Sequence, residues 1–243
     1  MNKVKRFQPG TKISVKEFAN TLDHSLLNPS ITVKELKEGC QFAKDNHCIS
    51  VCVRPSDLPI VLEELEGSDV LPTTVIGFPH GTCTTETKLF ETKDAIEKGA
   101  VEIDMVINIA RFLSGEYDYV KNEIAEICKI AHQHDVIVKV IFENHYLNDE
   151  QIIKACELST EAGADFVKTS TGYAPSGSKI HDLKLMRSHI ADNMEVKAAG
   201  GVRTIEDALK VLGTGTVRIG TSGSAKLLEK AKELEAKGEL VVL

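Results

Sequence analysis

Short β-branched, apolar runs alternate with stretches of helical periodicity along almost the whole chain. Ser14–Asn20 predicts a leading helix, with Ser14 as N-cap and Glu17 three residues on, the spacing of a capping box. A strand is predicted over Thr21–His24. A helix over Thr32–Asn46 follows, capped by Thr32 and Glu35, with Leu36, Cys40 and Ala43 as its apolar stripe. His47–Val53 reads as the second strand, stopped by Arg54-Pro55, and Ser56–Leu65 as a helix. Thr73–Phe78 is the third strand, Thr84–Lys98 a helix closed by Gly99, and Val101–Ile107 the fourth strand. The rhythm continues with a helix over Tyr117–His134, a strand over Val136–Glu143, a helix over Asn148–Ala162 and a strand over Asp165–Ser170. Ile180–Ile190 reads as helix, Glu195–Ala199 as strand, Thr204–Leu212 as helix, Thr216–Gly220 as strand, and Ser222–Lys237 as the closing helix.

Eight strands alternating with helices require parallel strands joined by right-handed crossovers. No G-x-G-x-x-G follows the first strand, which favours a closed barrel over an open doubly wound sheet. No Pro/Gly/Ser-rich linker divides the chain, and 243 residues suit one barrel. The expected fold is therefore α/β: a single (β/α)₈ TIM barrel over residues 1–243 with a short N-terminal helix.

Period-two alternation then assigns faces. In the fourth strand Ile103, Met105 and Ile107 face the helices, which sends Glu102, Asp104 and Val106 into the lumen. The same reading sends Lys139, Ile141 and Glu143 inward from the fifth strand, and Phe166, Lys168 and Ser170 from the sixth. Glu195, Lys197 and Ala199 point inward from the seventh. Four neighbouring strands aim acids and lysines at one interior, where an unpaired ion costs several kcal/mol. A structural salt-bridge network would satisfy such a cluster. So would catalysis, because barrel enzymes place their reactive groups at the C-terminal strand ends.

Composition narrows the functional classes. A hydrophobic content of 42% with 27% charged residues supports a large core. The net charge of −7, with no basic run, argues against nucleic acid as a partner. No apolar run approaches the roughly 18 residues needed to span a bilayer. Lys3, Lys5 and Arg6 are followed by no apolar segment, so no secretory signal is expected and the cytoplasm is the expected location. Cys40, Cys48, Cys52, Cys83, Cys128 and Cys156 are scattered without a CxxC pair, as expected of reduced thiols.

Imine formation is the chemistry that suits the inward cluster. A lysine attacks a carbonyl only as the neutral amine, and an ordinary pKa leaves about one in a thousand neutral near neutral pH. A second ammonium about 5–6 Å away, at an effective dielectric of about 20, lowers that pKa by about two units, and desolvation lowers it further. Lys168 and Lys197 could be such a pair, with Asp104 as the acid that relays protons. Beside them, Gly200-Gly201 follow the seventh strand and Gly220-Thr221-Ser222-Gly223 the eighth. On this fold those two loops recurrently bind phosphate, and Ser222 could both donate to the anion and cap the last helix. Arg203 either faces that phosphate or simply opens a helix.

At these residues the chain resembles deoxyribose-phosphate aldolases. The resemblance is carried by Leu22-Asp23-His24-Ser25-Leu26-Leu27, Val75-Ile76-Gly77-Phe78-Pro79 and Glu102-Ile103-Asp104-Met105-Val106-Ile107-Asn108. It continues through Lys139-Val140-Ile141-Phe142-Glu143, Phe166-Val167-Lys168-Thr169-Ser170-Thr171-Gly172, Val196-Lys197-Ala198-Ala199-Gly200-Gly201-Val202-Arg203 and Arg218-Ile219-Gly220-Thr221-Ser222. It implies reversible cleavage of 2-deoxyribose 5-phosphate to acetaldehyde and glyceraldehyde 3-phosphate, without metal or organic cofactor, in carbohydrate and deoxyribonucleotide breakdown. It also implies that Lys168 is the Schiff-base lysine, Lys197 the lysine that lowers its pKa, and Asp104 the proton relay. Phosphate binding would fall to the backbone around Gly172, Gly200, Gly201 and Ser222. Arg54 stands where the family usually has asparagine, Asn144 where it often has threonine, and Ser25 where threonine is common.

Lys139 and Glu143 are expected to support the charges of Asp104 and Lys197. Asp23 either hydrogen-bonds at the barrel base or lines the site. His132 and His134 suit a helix C-terminus, and His80 and His145 the rim. Expected partners are a phosphorylated sugar and small aldehydes, with no nucleic acid and no membrane, in a homo-oligomer, a dimer. The rival readings are another phosphate-binding Schiff-base barrel lyase and a catalytically silent sugar-phosphate sensor.

Overall fold

The eight apolar runs become eight parallel strands that close on themselves in sequence order. They are β1 (Leu22–Leu26), β2 (Ser50–Val53), β3 (Leu71–Ile76), β4 (Glu102–Val106), β5 (Ile137–Ile141), β6 (Phe166–Lys168), β7 (Glu195–Ala199) and β8 (Arg218–Thr221). β8 pairs back onto β1, with Leu22 opposite Ile219. The structure, a computed structural model, describes residues 5–243; Lys3 of the N-terminal basic stretch lies outside the described residues.

Ten α-helices among the described residues wrap this barrel: α1 (Val15–Ala19), α2 (Val33–Asp45), α3 (Leu58–Leu65), α4 (Thr85–Glu97), α5 (Ile109–Leu113), α6 (Tyr117–His132), α7 (Asp149–Glu161), α8 (Ile180–Ser188), α9 (Ile205–Leu212) and α10 (Ser224–Ala236). The Ser14/Glu17 and Thr32/Glu35 capping boxes form as the spacing predicts, and Asn148 with Gln151 makes a third at the start of α7. Leu36, Cys40 and Ala43 are fully buried on α2. A single leucine so placed contributes about 2 kcal/mol of burial. The main core lies between strands and helices and includes Ile103, Met105, Val138, Val140, Val167, Val196 and Ile219, the outward faces of β4 to β8.

Several element ends differ from the sequence expectation. His47 turns with φ +57, so β2 starts only at Ser50. A 3-10 turn over Pro55–Asp57 precedes α3, because Pro55 and Pro59 leave too few backbone donors for a regular first turn. β5 stops at Ile141 rather than Glu143, and β6 stops at Lys168 rather than Ser170. The five-residue α5, capped by the Asn108 side chain, is an addition too short to leave a period in the sequence. α10 begins at Ser224 with Gly223 at its N-cap position, so Ser222 does not cap it.

Candidate active site

Four strand-paired registers set the charged residues side by side. Asp104 lies opposite Lys139, Ile141 opposite Lys168, Lys168 opposite Lys197, and Lys197 opposite Arg218. The alternation that buries Ile103 and Met105 on the outside leaves Glu102 and Asp104 no direction but inward, and both are fully buried.

Inside the lumen these groups close into a ring. Lys139 donates to Asp104 Oδ1 at 2.8 Å and to Glu102 Oε2 at 2.6 Å. Glu102 pairs with Arg218, which also donates to Asp23 Oδ1 at 2.9 Å. Asp23 pairs with Lys197, and Lys197 returns to Asp104 Oδ2 at 2.7 Å. Asp104, Glu102 and Asp23 thus balance Lys139, Lys197 and Arg218, three charges against three. Lys168 is the seventh member. It donates to the same Asp104 Oδ2 at 2.7 Å and has no other carboxylate among the described residues. With Lys168 neutral the buried cluster has no net charge; with Lys168 protonated it carries one uncompensated positive charge. Taking ions out of water costs several kcal/mol each, and only mutual pairing offsets that cost.

The ionisation of each group follows from this arrangement. Burial lowers the pKa of Lys168 and the Lys197 ammonium adds to the effect, while Asp104 opposes both. Two nitrogens sharing one oxygen are at most about 5 Å apart, where like charges repel by about 3 kcal/mol at an effective dielectric of about 20. Desolvation is the larger cause and that repulsion the smaller one. Burial disfavours the Lys197 ammonium as well, yet the carboxylates of Asp104 and Asp23 outweigh it and raise its pKa above the usual lysine value. Asp104 is held well below the carboxylate range because Lys139, Lys168 and Lys197 together overcome its desolvation. Two neighbouring lysines are thereby driven apart, one towards the amine and one towards the permanent ammonium.

A cavity of about 860 Å³ opens at the C-terminal end of the barrel. Asp23, Cys52, Lys168 and Lys197 line it together with the loop residues Gly172, Gly200, Gly201 and Ser222. A larger cavity of about 1080 Å³ lies at the opposite end and reaches only Glu102 and Arg218 of the ring. It touches neither Lys168 nor the glycine loops, so the smaller cavity is the candidate site. Gly200 and Gly201 both take positive φ, +71 and +83, which turns the chain sharply after β7. The segment after β6 packs on that turn so closely that a Cβ on Gly177 would sit 2.2 Å from the Gly200 carbonyl. Ser178 fixes the contact by donating from its amide and its hydroxyl to the Gly200 oxygen, each at 3.0 Å. Ser222 is exposed on the same rim, and the α10 start at Gly223 and Lys226 faces the cavity. Arg203 is exposed there too.

Glu143 stands apart from the ring. With β5 ended and φ at +58, its carboxylate accepts from the Thr171 amide at 3.2 Å and from the Thr171 hydroxyl. It therefore supports the loop after β6 rather than Asp104 or Lys197, whereas Lys139 does hold Asp104. Arg218 is the residue that sequence reasoning missed. It lies two positions before Gly220 on β8, and the alternation applied to β4–β7 would have selected it. Asp23, left between two roles, takes both: it is bound within the ring and it lines the cavity. His132 is bonded to Asp165 at 2.9 Å and His145 to the Ser176 hydroxyl at 2.7 Å, so neither enters the ring. Among the described residues no group of three or more His, Cys, Asp or Glu side chains is placed to hold a metal ion.

Opening the ring has a predictable cost. Arg218→Met leaves Glu102 and Asp23 each with one base in place of two, and it is expected to lower the unfolding free energy by about 3–5 kcal/mol. Urea unfolding checks this, and a midpoint equal to that of the unaltered protein would contradict a ring held by mutual pairing.

Comparison with known proteins adds to this geometry. The family model described as DeoC/LacD family aldolase matches residues 17–230. A deoxyribose-phosphate aldolase from Caldanaerobacter subterraneus is 49% identical over 221 residues, covering 90% of this chain and 96% of that protein. One from Clostridium novyi is 50% identical over 215 residues, covering 88% and 96%. Among solved structures, the deoxyribose phosphate aldolase from Aeropyrum pernix, described as a unique tetramer, superposes with a TM-score of 0.85 at 33% identity, covering 91% of this chain and 93% of that one.

Proposed function

This chain belongs to the DeoC/LacD family of aldolases and is a carbon–carbon lyase, and on that premise we propose that it cleaves 2-deoxy-D-ribose 5-phosphate reversibly to acetaldehyde and D-glyceraldehyde 3-phosphate through a Schiff base on Lys168. The observation that carries this reading is the charge balance of the lumen. Lys168 is the one surplus cation in a ring otherwise neutral, and it faces the cavity that the glycine loops border.

The amine of Lys168 attacks the substrate aldehyde carbon, forming a carbinolamine. Asp104 Oδ2, already hydrogen-bonded to the amine, passes the proton released by nitrogen to the carbinolamine oxygen, and a second proton, drawn from solvent, lets that oxygen leave as water and gives the iminium. In the iminium the C2–C3 bond cleaves as the C3 hydroxyl gives up its proton, so that glyceraldehyde 3-phosphate departs and the bonding electrons form the enamine. Protonation of that enamine and addition of water release acetaldehyde and restore the free amine. Lys197 stays protonated throughout because Asp23 and Asp104 both hold it, and its charge keeps Lys168 from retaining a proton between turnovers. The backbone amides around Gly172, Gly200 and Gly201, with Ser222, receive the phosphate, and Lys139 keeps Asp104 in place.

We further take residues 1–243 as one aldolase domain acting in the cytoplasm as a homo-oligomer, a dimer. Among the described residues no helix is long and apolar enough to cross a membrane. A coupled assay for glyceraldehyde 3-phosphate released from deoxyribose 5-phosphate tests the proposal. Turnover is expected without added metal or cofactor; ligand-induced stabilisation with no turnover would instead point to a sugar-phosphate sensor.

A further inference from the structure

Arg54 follows β2 at the cavity end of the barrel and takes no part in the charge ring. Its guanidinium is spent almost entirely on one neighbouring loop. Nη1 donates to the carbonyls of Asn28 at 3.2 Å and Pro29 at 3.0 Å, Nη2 to that of Ile31 at 3.2 Å, and Nε to Asp57 Oδ2 at 2.5 Å. The buried Asp57 carboxylate neutralises the cation, which leaves the rigid fork free to grip three backbone oxygens at once. From the other side the Tyr173 hydroxyl donates to the Leu27 carbonyl at 2.9 Å, while the Tyr173 ring stands edge-on to Phe78 at 5.5 Å. Within the turn, Asn28 Oδ1 accepts from both the amide and the hydroxyl of Ser30. The loop joining β1 to α2 is thus tied at Leu27, Asn28, Pro29 and Ile31, and these same four residues line the candidate cavity.

Leu27, Pro29 and Ile31 are the apolar residues the loop brings to the cavity, and the Asn28 side-chain oxygen beside them is already bonded to Ser30. Leu27 packs with Cys52 and Val75, and Phe78 packs against them, in a small cluster separate from the main core. Leu27 and Cys52 share the cavity lining with Lys168. Lys168 therefore stands between two unlike walls. Asp23 and Lys197 supply one, rich in proton donors and acceptors and linked through the fully buried Asp104. Leu27 and Cys52 supply the other, whose side chains offer a hydroxyl group little better than the weak donor of a thiol. Burial pushes the Cys52 thiol up to about 11, so it presents no charge to that wall.

Resting on the reading of Lys168 as the Schiff-base lysine, we propose that Arg54 is a specificity-determining positioning residue. By clamping the 27–31 loop it keeps Leu27 seated against Cys52, and this closed apolar wall selects a donor aldehyde that carries no α-hydroxyl. A buried hydroxyl without a partner is penalised, and an apolar pocket discriminates against one by about a hundredfold. Arg54 does this through the loop and touches no reacting atom.

The test runs the reaction in the direction of synthesis, with glyceraldehyde 3-phosphate as acceptor and acetaldehyde or glycolaldehyde as donor. The unaltered protein is expected to prefer acetaldehyde by about a hundredfold in kcat/KM. In Arg54→Ala the KM for acetaldehyde should rise about tenfold and the donor preference fall to about tenfold, with kcat and its pH profile unchanged. Arg54→Lys keeps the charge beside Asp57 but loses the fork, so it should show the same change to a smaller degree and guards against a variant that fails to fold. Unaltered KM and donor preference in a folded Arg54 variant would overturn the proposal, whatever happens to its Tm. Borohydride trapping of the unaltered protein with acetaldehyde separates the two readings. An adduct on Lys168 with unaltered donor preference in the Arg54 variants overturns this inference alone, and absence of the adduct overturns the Schiff-base reading together with it.

Discussion

Replacing Lys168 with leucine is expected to lower kcat for deoxyribose 5-phosphate cleavage by about 10⁵-fold or more, the scale of loss when a covalent nucleophile is removed. No neighbour can substitute for it. Lys197 is held by Asp23 and Asp104 as a permanent ammonium, and Lys139 is locked between Glu102 and Asp104. The same change should leave the fold at least as stable as before. It removes the single cation that the ring does not balance, while Asp104 keeps Lys139 and Lys197 as partners. A buried lysine retained in spite of its unfavourable charge is what catalysis requires and what a purely structural network would not. A Lys168→Leu protein that turned over substrate at even a hundredth of the original rate would remove this lysine from the mechanism. Kinetics alongside thermal unfolding decide both points.

The second large effect is expected at Lys197. Lys197→Leu removes the like charge within about 5 Å of the Lys168 amine, and it also removes a competitor for Asp104 Oδ2. Both changes act with the same sign. Less repulsion and a less occupied carboxylate each favour the Lys168 ammonium, so its pKa rises and the neutral amine becomes scarcer. The activity optimum should move upward by about two pH units, with kcat/KM near neutral pH about a hundredfold lower and much of the loss recovered at alkaline pH. A uniform loss at every pH, with the profile in its original place, would show that Lys197 does not act on the ionisation of Lys168.

The closed barrel was legible because two simple periods, about 3.6 and 2, alternate without interruption from Ser14 to Lys237. The inward set was legible for the same reason, since Glu102, Asp104, Lys139, Lys168 and Lys197 fall on one parity of their strands. Glu143 shows where parity fails. Two residues beyond the end of β5 the backbone is left-handed, and the side chain is carried away from the lysines towards Thr171. Ser222 fails for a related reason, because a helix start shifted by two residues puts Gly223 at the cap position and leaves the serine on the rim. Ring closure could not be seen locally at all. It depends on Arg218 meeting Asp23 across the seam between the last strand and the first, 195 residues apart in sequence. The work of Arg54 was equally hidden: a departure from the family pattern was visible, but three loop carbonyls converging on one guanidinium exist only in the fold.

The central claim is that Lys168 forms a covalent imine with the aldehyde, and borohydride reduction with acetaldehyde present tests it most directly. Reduction of that imine leaves an ethyl group, so peptide mass analysis should find an increase of about 28 Da on Lys168 and none on Lys139 or Lys197, with activity lost in step with the modification. An unmodified Lys168 in a protein that still cleaves deoxyribose 5-phosphate at full rate would contradict the account.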